Sequence, residues 1–87
     1  MTDPIYISMF IGIKKEPEEL KPEVQAGKVY IVSYPFRDLG HVDVFTYDPE
    51  SAIKEILEDI GTQELIEFTT RKATLKDLHK IAGDVVL

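Results

Sequence analysis

The 87-residue chain contains no cysteine and no tryptophan. Without thiols it forms no disulfide, offers no thiolate nucleophile and gives no sulfur ligand to a metal. Asparagine is absent as well, and glutamine occurs only at Gln25 and Gln63. Lysine (8) and glutamate (9) are abundant. That balance of few fragile amides and many ion-pairing side chains is the bias of hyperthermophile proteins. Long apolar runs are also missing. The uncharged stretch Pro4–Ile13 is too short to span a bilayer. The opening Met1-Thr2-Asp3-Pro4 lacks the basic start of a secretory signal, so a cytoplasmic location is expected. The five glycines stand apart from one another, with no phosphate-cradling loop and no dinucleotide fingerprint.

What is present describes a folded, acidic domain. Hydrophobic residues make up 44% and charged ones 30%, a composition that is neither disordered nor membrane-embedded. Residues 1–87 make one domain, because a second would be too small to hold a core. The net charge of −6 is unevenly spread. Residues 37–67 hold Arg37 and Lys54 against nine acids, net −7. Residues 68–87 hold Arg71, Lys72, Lys76 and Lys80 against Asp77 and Asp84, net +2. The acidic middle repels a polyphosphate, which disfavours general nucleic-acid binding.

Residue patterning predicts the order β-β-β-α-β-α. Ile5–Ile13 alternates Ile5, Ile7, Met9, Ile11 and Ile13 with Tyr6, Ser8, Phe10 and Gly12, so it reads as a strand apolar on both faces, hence interior in its sheet. Residues 14–27 read as a connection, broken by Pro17 and Pro22, with room for one turn after Pro17. Lys28–Phe36 and His41–Tyr47 read as strands around the turn Arg37-Asp38-Leu39-Gly40. Asp48 caps a helix that starts with Pro49, buries Ile53, Ile56, Leu57 and Ile60, and ends at Gly61. Gln63–Thr70 reads as a fourth strand. A second helix begins at the capping-box-like pair Thr74 and Asp77 and stops at Gly83. The expected fold is α+β: a four-stranded mixed sheet in the order 3-2-1-4 with both helices on one face. The bare face then shows aromatic residues from Tyr6, Phe10, Tyr34, Phe45 and Tyr47, which marks a partner-binding surface.

Candidate chemistry is sparse. His41 and Asp43 share a strand face at a spacing that can hold a metal or orient an imidazole. His79 falls near a helix C-terminus, where the dipole suits it. Glu16, Glu18, Glu19 and Glu23 lack the spacing that closes round calcium. Lys72, Lys76 and Lys80 recur every four residues with Arg71 adjacent, an edge suited to phosphate, although no aromatic is interleaved for stacking. Ser8, Ser33 and Ser51 lie on no nucleophile elbow. No catalytic constellation emerges, and no cofactor is expected.

Two resemblances follow from these residues. Residues 42–83, with DVFTYDPESAIKEILEDIG, ELIEFTT and ATLKDLHKIAG, resemble the accessory domain that follows the ATPase core in ABC transporter ATP-binding subunits. The pattern departs at Leu78-His79, where that family carries an aromatic. No ATPase core accompanies it, so the resemblance implies an αβ regulatory or interaction module and no ATP chemistry. The segment GKVYIVSYPFRDLG is similar to the first barrel strand and loop of toxin-type mRNA endonucleases. Arg37 replaces that family's threonine, and its later catalytic strand has no counterpart, so no nuclease role carries over.

The reading is an interaction module without catalysis that self-associates as a homodimer through a sheet face. The alternative is a small nucleic-acid-directed protein that uses Arg71, Lys72, Lys76 and Lys80. A third reading, an enzyme built on His41 and Asp43, carries the least support.

Overall fold

The computed structural model describes residues 5–36, 40–61 and 66–85. The turn expected at Arg37-Asp38-Leu39, the strand start at Gln63 and the tail Val86-Leu87 lie outside them, as do the side chains of Tyr6, Ile81 and Ala82. Four strands form one sheet: β1 (Ile5–Ile11), β2 (Tyr30–Phe36), β3 (Gly40–Thr46) and β4 (Thr69–Lys72). Three helices accompany them: α1 (Lys21–Gln25), entered through a 3-10 turn at Pro17–Leu20, α2 (Pro49–Ile60) and α3 (Leu75–Val85).

The α+β class and the mixed sheet agree with the sequence. The strand order does not: it is β1-β3-β2-β4, not 3-2-1-4. β1 runs parallel to β3, while β2 is antiparallel to both β3 and β4. The direction expected for β4 is therefore kept, but it joins β2, and β1 lies at an edge. Hairpin partners β2 and β3 occupy the centre, because their alternate residues are buried on both faces: Ile31 and Phe45 on one, Val32 and Val44 on the other.

The expectation of helices on one face is also corrected. α2 lies on one face, where Ala52 and Ile56 pack over Val32, Tyr34, Val42 and Val44. Ile66 and Phe68 close the end of that cluster. The opposite face is covered by the 3-10 turn, α1 and α3, with Leu20, Val24 and Leu78 over Ile31 and Phe45. The prolines that suggested a loop are placed where helices tolerate them. Pro17 begins the 3-10 turn and Pro22 falls in the first turn of α1, where an N–H would have no intrahelical acceptor. Glu16 and Glu19 form a capping box at the entry.

α2 forms as its caps predict. The Asp48 carboxylate accepts the Ser51 amide at 3.4 Å and the Ser51 hydroxyl at 2.8 Å. Gly61 follows the helix at φ +88°, a region that disfavours side chains, and donates its amide to the Leu57 carbonyl. The buried Thr46 hydroxyl bonds both the amide and the carbonyl of Asp48, which fixes the corner between β3 and α2.

Candidate functional site

The two edges of the sheet differ in kind. β4 is four residues long, all exposed, and ends in Arg71-Lys72. Brevity and positive charge both discourage a further strand from adding to it. β1 is seven residues long, Ile-Tyr-Ile-Ser-Met-Phe-Ile, with no charge and no proline. None of these guards protects it, and no other described strand pairs along its outer side. Ile7 and Met9 lie opposite Val42 and Val44 in the register, on the face that α2 covers. But α2 packs on β2 and β3. Ile7 is left 40% exposed and Met9 45% exposed. The outer flank of β1 therefore joins a row of backbone hydrogen-bonding groups to two exposed apolar side chains.

Of the five aromatic residues expected to share an open face, the four with described side chains are divided by the sheet. Tyr34 is buried on the α2 side, with its ring centroid 5.4 Å from that of Phe68. Phe45 is buried on the other side, with the Phe10 ring tilted against it at a centroid distance of 5.3 Å. Burial, with Asp59 nearby, raises the Tyr34 phenol above its ordinary value. Tyr47 stays exposed and donates a hydrogen bond to the Glu23 carboxylate, which also pairs with Lys15. Those hydrogen bonds hold the Glu23 carboxyl below the usual carboxylate range and push the Lys15 ammonium and the Tyr47 phenol up. The four whose side chains are described form no single surface, because Tyr34 is packed on one face of the sheet, Phe10 and Phe45 on the other, and Tyr47 stays in solvent.

His41 and Asp43 do share a face of β3, beside Ser8 of β1 and Ser33 of β2. Ser33 Oγ donates to Asp43 Oδ1 at 2.6 Å, so one carboxylate oxygen is already engaged. Among the described residues no group of three or more His, Asp or Glu side chains is arranged to hold a metal ion. A hollow between the 3-10 turn and α3, lined by Pro17, Glu18, Lys21, Leu78 and His79, encloses about 80 Å³. That is well below the ~300 Å³ at which ligand pockets begin.

The four basic residues do not line one helix edge. Arg71 and Lys72 belong to β4, whereas Lys76 and Lys80 belong to α3. Arg71 is held in a two-pronged pair with Asp77, both contacts at 2.8 Å. Its charge is thereby paired within the protein, although the guanidinium stays half exposed. Asp77 also accepts the Thr74 amide at 2.7 Å and the Thr74 hydroxyl at 2.9 Å, so it caps α3 and ties it to β4. The guanidinium, ahead of these Thr74 bonds, holds the Asp77 carboxyl at about 2, against an ordinary 3.8.

A folded-state value below the unfolded one means that ionised Asp77 stabilises the protein. The contribution is complete above about pH 4 and is lost as pH falls towards 2. Because Arg71 is half exposed, solvent screens the pair. Asp77→Asn is expected to cost about 1 kcal/mol at neutral pH. It should also flatten the acid limb of a stability–pH curve measured by urea unfolding. Two parallel curves would show that Asp77 takes no part.

Comparison with protein families, with curated proteins and with solved structures finds no match to this chain. No described helix is long and apolar enough to cross a membrane.

Proposed function

We propose that the protein is a small non-catalytic interaction module whose working surface is the β1 flank of the sheet. One observation carries this reading. Ile7 and Met9 stand exposed beside an unguarded strand edge, while the opposite edge is short and cationic. An exposed row of main-chain donors and acceptors with alternate apolar side chains is the surface that β-strand addition uses. The absence of a sizeable pocket at the hollow beside α3 is consistent with a contact surface rather than a substrate site. Phosphate recognition by the basic residues is weaker as a reading, because Arg71 is committed to Asp77.

A photo-crosslinking amino acid placed at position 9 in living cells tests the reading. A discrete adduct is expected there, and none when the same group stands at position 72 on β4. No adduct at position 9, or equal labelling at both positions, would refute it.

A further inference from the structure

We infer that the strand added at β1 is β1 of a second copy, antiparallel, with the two-fold axis at Ser8. The inference rests on the interaction-module reading and names its partner. The sequence of β1 is chemically symmetric about its central residue: Ile-Tyr-Ile, Ser, Met-Phe-Ile. Antiparallel pairing centred on Ser8 sets Ile5 opposite Ile11, Tyr6 opposite Phe10, and Ile7 opposite Met9. Serine meets serine on the axis. Each of these pairs sets apolar against apolar, and a two-fold contact repeats every such pair, since residue i meets j and j meets i. Opposed residues share a face. Ile7 and Met9 of both copies thus become one apolar patch on the α2 side.

Charge agrees with this geometry. The chain carries a net −6, so two copies repel through most of their surface. Residues Ile5–Ile11 contain no charged side chain and let two copies meet without opposing like charges in the ladder. The joined sheet has eight strands, and its outer edges are the two cationic β4 strands. Association stops at two, because those edges are guarded. Two seven-residue strands and their flanking side chains bury on the order of 1,000 Å², the low end for a specific contact. A contact of that size suits a weak, reversible dimer.

The absence of native cysteine makes engineered thiols clean reporters. Sedimentation equilibrium of the full chain is expected to show a reversible dimer at micromolar concentration. With a short thiol crosslinker, Ser8→Cys should link to itself about 100-fold faster than Thr70→Cys on the opposite edge, because pairing raises the effective thiol concentration. An equal mixture of Ile7→Cys and Met9→Cys should give mainly the mixed dimer. Met9→Lys should raise the dissociation constant about 100-fold, since symmetry puts each lysine in the contact twice. A strict monomer throughout, or Ser8→Cys no faster than Thr70→Cys, overturns the inference. If the photo-crosslinker at position 9 then still yields an adduct heavier than two copies, the second copy is excluded and the interaction module stands. If it yields none, both fall.

Discussion

Phe45→Ala is expected to destabilise the protein severely. Phe45 is 2% exposed on the central strand β3, between Phe10 and Ile31 and beneath the 3-10 turn, α1 and α3. Removing such a ring costs about 3–5 kcal/mol, from lost transfer energy and the cavity left behind. A domain of this size has about 4–13 kcal/mol in total. The cavity would open where three helical segments converge, and none of them is long enough to hold without the ring. Urea unfolding followed by far-ultraviolet circular dichroism measures the loss. A cost below about 1 kcal/mol would contradict the burial assigned to Phe45.

The second large effect is expected at Leu20→Ala, about 2–5 kcal/mol. Leu20 is fully buried, although it lies in the segment between β1 and β2 that reads as a proline-broken connection. A solvated loop would make the substitution nearly neutral. The structure makes it a core substitution, because Leu20 packs with Val24, Phe45 and Leu78. The same urea titration decides between the two. The change should also loosen α3, which contacts both the turn and α1. Hydrogen exchange at the α3 amides would then accelerate.

Leu20 also shows where reading the sequence stopped. The first three strands, the capped helix after Asp48 and the pairing of Thr74 with Asp77 were legible, because each rests on neighbours within a few residues, whereas the fourth strand, expected over Gln63–Thr70, forms at Thr69–Lys72. Pro17 and Pro22 read as breaks, since proline disrupts helix interiors. Here both occupy opening turns, where the missing N–H costs nothing. Without that helical segment the second face of the sheet is bare, and an aromatic docking face follows. With it, Phe10 and Phe45 are accounted for as core.

The position of β1 was hidden for a different reason. Apolar residues on both sides of a strand fit an interior place, where two neighbours and two layers cover it. They fit equally an edge strand with one side under helices and the other uncovered. Periodicity records which residues avoid water and not which strand lies alongside. Only the register, Phe10 against Phe45 and Met9 against Val44, distinguishes the two. The candidate surface is therefore half visible in the sequence: the pattern makes Ile7 and Met9 strand residues but assigns them to a core.

The parallel pairing of β1 with β3 shapes how the chain assembles. Every pair in that ladder joins residues 35 positions apart, from Ile5 with Gly40 to Ile11 with Thr46. β2 and β3, by contrast, close from Phe36 with Gly40 outwards, which is fast and local. During synthesis β1 leaves the ribosome first but has no β3 to dock on until 35 more residues have followed. The most apolar strand, which carries no charge, is the one that waits longest, so its exposure to chaperones and to other nascent chains is set by translation speed.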